Sequence, residues 1–166
     1  MLAIFAITVM VASPDYDALI DDLAGDSETA VRAHESLLKA GVEAFPALLK
    51  RIGDETVISN GKFHGATPTR PRIGRVSFLI IQYQIESAWP KGFRQHYALN
   101  EQNVAAWLSK HKGLSITQLR IRALTDSMDS LSREIEKGGV TDFQLMNLSF
   151  LHKRLGRIVN DAKKKQ

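Results

Sequence analysis

The fold is decided by the stretch DYDALIDDLAGD (15–26), which continues as SETAVRAHESLLKAG (27–41) and VEAFPALLKRIG (42–53). Apolar residues recur along it at helical spacing. Three glycines divide it into segments: Gly25, Gly41 and Gly53. The pattern predicts three short helices of the α-solenoid type. Such a unit cannot bury its apolar faces alone, so the rest of the chain must cover them.

Local signals place the starts of these helices. Ser13 followed by Pro14 and Asp15 predicts a cap and a first helical turn, ending near Leu23. Asp26 or Ser27 is expected to cap the second helix. Because Pro46 lacks an amide hydrogen, the third helix should begin near Ala44 or bend there.

The stretch resembles the HEAT-repeat family, in which paired helices stack and a curved inner face binds proteins. The resemblance covers about a quarter of the chain. It is carried by Arg32, Ala33, Leu37, Gly41, Ala44, Pro46, Leu48 and Leu49. It implies that Asp26 and Arg32 brace neighbouring helices. Residues 71–119 also resemble a recurrent bacterial unit to which no activity is attached.

The middle of the chain breaks the repeat pattern. Asn60-Gly61 lies between short β-prone runs from Thr56 to Phe63, which predicts a small β-hairpin. An apolar segment from Gly74 to Trp89 follows and predicts a central helix. A further short helix is expected after Asn100 as its cap.

Two capping-box sequences mark the C-terminal part. Ser115-Ile-Thr-Gln118 and Thr141-Asp-Phe-Gln144 each predict the start of a long helix. Gly138-Gly139 separates the two helices, which should form an antiparallel hairpin. The second helix carries an apolar stripe composed of Phe143, Met146, Phe150, Leu151, Leu155, Ile158 and Val159.

These elements predict an all-α, compact, right-handed HEAT-like domain with a C-terminal helical hairpin and a small β-hairpin insertion. One domain is expected for 166 residues, spanning 13–162. Its predicted parts are a HEAT-like unit (13–53), a loop with the insertion (54–75), central helices (76–113) and the helical hairpin (115–162). A basic tail (163–166) follows.

The N-terminal segment Met1 to Ala12 is apolar and uncharged. Its length fits the core of a secretory signal and is too short to span a membrane as a helix. No Lys or Arg precedes it, and Met10 stands where a small residue is usual before cleavage after Ala12. Export is the expectation. The alternatives are a core helix or strand, or a misplaced start, and the protein is then cytoplasmic.

Charge divides the chain unevenly. Residues 1–52 hold four basic and eight acidic residues, whereas residues 53–166 hold 18 basic and ten acidic ones, within an overall net charge of +4. A basic C-terminal portion suits an acidic protein surface or nucleic acid, but a solvated helical surface explains it equally simply.

Catalytic signatures are missing from the sequence. There is no cysteine, no phosphate-binding glycine loop, no nucleophile elbow and no zinc-binding histidine helix. The acidic residues near the N-terminus lack calcium-loop spacing. The sequence therefore predicts a non-enzyme without metal or cofactor. A pocket gathering Glu86, His96 and an arginine would overturn that prediction.

The candidate binding surface flanks the central helix, where arginines and aromatic residues occur together. Such residues dominate protein–protein hot spots, and they also stack on single-stranded nucleic acid. The alternative is that Trp89, Phe93 and Tyr97 are buried beneath a loop. The leading prediction is a scaffold that binds another protein; the second is a nucleic-acid-binding domain. The predicted contact residues are Arg70, Arg72, Arg75, Lys91, Phe93, Arg94, His96 and Tyr97.

Overall fold

The computed structural model describes residues 14–58, 71–86 and 98–164. These residues are predominantly helical, which confirms the all-α prediction. The helices are α1 (Tyr16–Asp22), α2 (Ser27–Ala40), α3 (Phe45–Lys50), α4 (Ile73–Glu86), α5 (Val104–Lys110), α6 (Ile116–Gly138) and α7 (Asp142–Lys163). A 3-10 turn, Gly41–Ala44, leads into α3.

Side-chain caps fix where the N-terminal helices begin. Asp15 caps α1 by accepting the amide hydrogen of Ala18 at 3.0 Å. The cap is therefore two residues beyond Ser13, which lies outside the described residues. Asp26 caps α2, as one of the two predicted alternatives, and accepts the amide hydrogens of Glu28 and Thr29 at 2.9 Å. α3 starts at Phe45, one residue before Pro46. The preceding residues, Gly41–Ala44, form a 3-10 turn that leads directly into the helix.

Both predicted capping boxes are confirmed at the helical hairpin. Ser115 and Gln118 exchange hydrogen bonds at the start of α6, and Thr141 and Gln144 do so at the start of α7. Gly139 ends α6 with a φ of 80°, a conformation that favours glycine. α7 packs along α6, so the connection of three residues turns the chain back on itself.

The predicted β-hairpin is wrong. No strand or sheet occurs in the described part of the chain, where Val57 and Arg72 form an isolated antiparallel bridge. Ile58 donates its amide hydrogen to the Pro71 carbonyl at 2.8 Å, and Ile73 donates to that of Thr56 at 2.9 Å. The backbone before the predicted turn thus pairs with the entrance of α4. The Asn60-Gly61 turn itself lies outside the described residues.

α4 runs through the main hydrophobic core. Ten of its 14 residues are buried, so it provides the apolar surface that the three N-terminal helices need. Helices α1, α2, α3 and α6 pack against it. Large side chains buried around it include Ile20, Leu23, Leu37, Leu48, Leu99 and Leu119.

A network of ion pairs ties α1 to the end of α3. Arg51 contacts Asp21 at 2.6 Å and Asp54 at 2.7 Å. Asp26 and Arg32, which the HEAT resemblance implies as bracing residues, act locally instead. Asp26 caps α2, and Arg32 pairs with Glu28 on the same helix at 3.8 Å. Bracing in this unit comes from Arg51.

The first turn of α4 lies against the turn that follows α3. The amide of Gly74 donates to the Asp54 carbonyl at 2.9 Å. A Cβ atom at position 74 would overlap the Ile52 carbonyl oxygen and stand 2.7 Å from its carbonyl carbon. Both are backbone atoms that cannot rotate away. Only glycine therefore lets α4 approach this turn so closely.

Replacing this glycine should destabilise the whole domain. We expect Gly74→Ala to lower the free energy of unfolding by about 3 kcal/mol, because overpacking forces the backbone to move. Urea denaturation followed by circular dichroism measures the change.

The matched control is Gly156→Ala in α7, where no atom lies within 4 Å of an added Cβ. That variant should gain about 0.5–1 kcal/mol from helix propensity. Equal effects of the two substitutions would contradict the steric explanation.

A smaller apolar cluster joins α6 to α7, built on Leu124, Leu131 and Leu151. Asn147 is fully buried beside α6, yet within the described part of the chain neither of its side-chain polar atoms has a hydrogen-bond partner. An unsatisfied buried amide costs about 1–3 kcal/mol. The hairpin therefore contains an internal polar defect.

Removing that amide should stabilise the hairpin. We expect Asn147→Leu, which keeps the number and branching of the side-chain heavy atoms, to raise the melting temperature by about 2–4 °C. Differential scanning calorimetry measures the shift. Asn160→Leu, an exposed position later in α7, serves as the control for added apolarity. A lower melting temperature for Asn147→Leu would show that the amide has a structural role.

Candidate protein-binding surface

Two of the eight predicted contact residues, Arg72 and Arg75, belong to the described part of the chain. Both are exposed at the N-terminal end of α4. Arg75 belongs to the first turn of α4, whereas Arg72 immediately precedes the helix and forms the bridge with Val57. The other six lie outside the described residues, namely Arg70, Lys91, Phe93, Arg94, His96 and Tyr97.

Each of these two arginines has an acidic partner. Arg72 forms an ion pair with Glu55 in the segment before the bridge. Arg75 pairs with Glu101 at 2.5 Å. Exposed pairs of this kind contribute about 0–1 kcal/mol to stability. Their larger effect here is to neutralise the positive charge of the surface locally.

Arg75 is also held from the side of the core. Its guanidinium carbon lies 5.3 Å from the centroid of the Phe78 ring, within cation–π distance. Phe78 is buried, so this ring is a fixed support. The Arg75 side chain is thus positioned by Glu101 and Phe78 while its own surface stays accessible.

The exposed side of α4 continues with Leu79 and Tyr83, which are 40% and 63% exposed. Arg75, Leu79 and Tyr83 follow one another at intervals of four residues, so they share one face of α4, and Arg72 immediately precedes the helix, three positions before Arg75. We name these four residues the α4 row. Sequence reasoning missed Leu79 and Tyr83, although their spacing from Arg75 was the signal that could have found them.

Glu86 lies on the same face, one turn beyond Tyr83, but it is buried. Its Oε1 accepts the amide hydrogens of Ala98 at 2.6 Å and Leu99 at 3.4 Å. Gln82 donates to the Leu99 carbonyl at 3.0 Å. Two side chains of α4 thus hold the segment that returns to the core before α5. The α4 row ends where this segment covers the helix.

Burial raises the pKa of Glu86 to about 8. The amide hydrogens of Ala98 and Leu99 and the side chain of Gln82 oppose that rise by stabilising the carboxylate. Among the residues that the structure describes, Oε2 has no hydrogen-bond partner. Near neutral pH the carboxyl is therefore largely protonated in the folded state, and Oε1 remains an acceptor in both forms.

The histidines of the described residues show no metal-binding arrangement. Burial lowers the pKa of half-buried His34. His111 is buried against Trp107, with ring centroids 4.4 Å apart. No group of three or more histidine, aspartate or glutamate residues able to hold a metal ion occurs in 14–58, 71–86 or 98–164.

The enzyme hypothesis needed Glu86 beside His96 and an arginine. His96 lies outside the described residues. The contacts of Glu86 given above are the backbone amides of Ala98 and Leu99 and the side chain of Gln82, which serve to hold a segment in place. Within the same described residues, no helix is both long and apolar enough to cross a membrane.

The raised pKa of Glu86 predicts a pH-dependent stability. The folded protein retains this proton up to about pH 8, whereas the unfolded chain releases it near the ordinary value for glutamate. Folding therefore binds a proton in this window, and the stability that Glu86 contributes falls as pH rises through it. Above the folded pKa the contribution becomes constant.

Glu86→Gln keeps an oxygen acceptor and removes the titration. The difference in melting temperature, variant minus wild type, should increase by about 4 °C or more when the pH is raised from 5 to 8.5. Scanning fluorimetry across pH measures the difference. Glu136→Gln controls for loss of an exposed carboxylate. A wild-type-to-variant difference that does not change with pH would contradict the assignment.

Comparison of the chain with models of protein families, with curated proteins and with solved structures found no match in any of the three.

Proposed function

We propose that the chain is a non-catalytic protein–protein interaction module that binds another protein through the α4 row. The observation that carries the proposal is the exposure of Tyr83 and Leu79 beside two arginines on an otherwise buried helix. A rigid central helix makes a precise platform because its own position is fixed by the core.

The chemistry of the α4 row suits a protein partner. Tyrosine and arginine are enriched among residues that dominate binding energy. Arg75 is already held by Glu101 and Phe78, so it loses less conformational freedom on binding than a free arginine would. Leu79 adds apolar area between the polar ends of the row.

The HEAT-like scaffold is part of this proposal. Helices α1 to α3 support α4 from behind, as stacked helices support a binding face in the family that the N-terminal stretch resembles. Residues 1–12 fit a secretory signal, so the proposed setting is outside the cytoplasm. Arg70 and residues 91–97 flank α4 in sequence and extend the proposed surface.

Nucleic-acid binding through the basic residues of 70–97 is the alternative proposal. It rests on the excess of basic residues in 53–166. Against it, Glu55 and Glu101 neutralise Arg72 and Arg75, and a phosphate would have to compete with both carboxylates. Phosphate contacts release counterions, so this alternative requires binding that weakens steeply with salt.

The experiment is capture of a partner by the immobilised chain from an extract of its own cells, followed by mass spectrometry. Arg75→Glu combined with Tyr83→Ala should lower the retained partner at least about tenfold, since truncated hot-spot residues cost about 2 kcal/mol or more each. Val31→Ser, at an exposed apolar residue of α2, is the matched control and should retain the partner.

Three results would count against the proposal. Retention unchanged by the double variant would remove the α4 row from the binding site. Equal loss with Val31→Ser would point to a general effect. Retention of oligonucleotide instead of protein, lost at moderate salt, would favour the nucleic-acid alternative.

A further inference from the structure

A second row of residues lies on α7, and all of its members except half-buried Phe150 are exposed. Phe143, Met146, Phe150, Lys153 and Arg157 follow one another at alternating intervals of three and four residues. This is the heptad spacing of a helix–helix contact seam. We name these five residues the α7 row.

Apart from Phe150, which contacts both, the α7 row is distinct from the seam that packs on α6. That inner seam contains Asn147 and Leu151, which are fully buried, with Leu155 and Ile158 beside them. The α7 row lies on the adjoining flank. Phe143 and Met146 were predicted as part of the core stripe, but they are 43% and 55% exposed. Phe150 is half-buried and also packs against the cluster between α6 and α7. The apolar part of this flank that α6 leaves exposed is therefore Phe143 and Met146.

The order of residue types along this flank is self-complementary. Asp142 begins it with a negative charge, Phe143, Met146 and Phe150 form its apolar centre, and Lys153 and Arg157 end it with positive charge. A helix that packs antiparallel on this flank places its N-terminal end opposite Lys153 and Arg157 and its C-terminal end opposite Asp142. Its charges are therefore complementary when it has the same order of residue types from its N-terminus to its C-terminus. A second copy of the chain supplies that order without any further requirement.

We propose that the protein forms a twofold dimer in which the α7 rows of two copies pack antiparallel. With the axis close to Asn147, Phe150 faces the partner's Met146, and Lys153 faces the partner's Asp142. Every contact then occurs twice, as twofold symmetry requires. The two hairpins together form a four-helix arrangement. In it, α7 packs on α6 through its inner seam and on the partner's α7 through the α7 row.

A second copy suits this flank better than other occupants. A membrane surface favours an uninterrupted basic face and would be repelled by Asp142 next to the apolar centre. An unrelated protein would need both an acidic and a basic end at the matching spacing. The same chain has both, and its apolar centre falls between them.

The test measures the mass of the full chain in solution by sedimentation velocity over a concentration series. Wild type should form a dimer that dissociates on dilution. Met146→Glu should raise the dissociation constant at least about a hundredfold, because the substitution enters a twofold interface twice. Leu145→Glu is the matched control, since Leu145 is also exposed, at 52%, but lies about 100° around α7 from Met146 and outside the α7 row, and it should leave the dimer intact.

A charge exchange tests the antiparallel register. Asp142→Lys alone and Lys153→Glu alone should each weaken the dimer, because each places like charges opposite one another. The double variant restores opposite charges across the axis and should recover most of the association. Melting temperatures measured at dilutions where each protein is monomeric separate loss of association from loss of folding.

Three results would contradict the proposed dimer or its register. A wild type that stays monomeric at the highest soluble concentration would overturn the proposal. Equal weakening by Met146→Glu and Leu145→Glu would exclude the α7 row as the contact. Failure of the double charge variant to recover association, with both single variants folded, would exclude the antiparallel register.

Discussion

The close approach of α4 to the turn after α3 is the constraint on which the rest of the structure depends. Gly74 permits it, because any side chain there would overlap the Ile52 carbonyl. Arg51 fixes the same turn from the other side through Asp21 and Asp54. α4 therefore crosses the N-terminal helices in one defined position. That position buries most of α4 and leaves the α4 row as its exposed side.

The elements that sequence predicted well are those fixed by contacts within a few residues. The capping boxes at Ser115 and Thr141 fold as expected because both of their partners lie three positions apart. The β-hairpin was wrong for the opposite reason. Asn60-Gly61 signals a local turn, but the backbone near Val57 pairs with Arg72, and that pairing depends on where α4 enters the core.

The same distinction between local and long-range contacts explains which parts of the candidate site could be predicted from the sequence. A cluster of arginines is visible in the sequence, so Arg72 and Arg75 could be predicted; their ion pairs with Glu55 and Glu101 depend on the fold. The burial of Glu86 depends on the return of Ala98 and Leu99 across α4, which no spacing rule reveals. Helical periodicity likewise predicted the apolar stripe of α7, but it did not predict which residues of the stripe pack against α6.

The two exposed rows lie on different helices, and this allows their proposed roles to reinforce each other. A twofold dimer built through α7 carries two copies of the α4 row. A partner with repeated or paired sites could then engage both, and the second contact forms at a high effective concentration. A modest surface of a few residues would thereby gain strong binding without additional contacts. Two copies of the small α4 row in a dimer therefore bind such a partner more tightly than one copy in a monomer does. Dimerisation through the self-complementary α7 row would thus serve the proposed binding function.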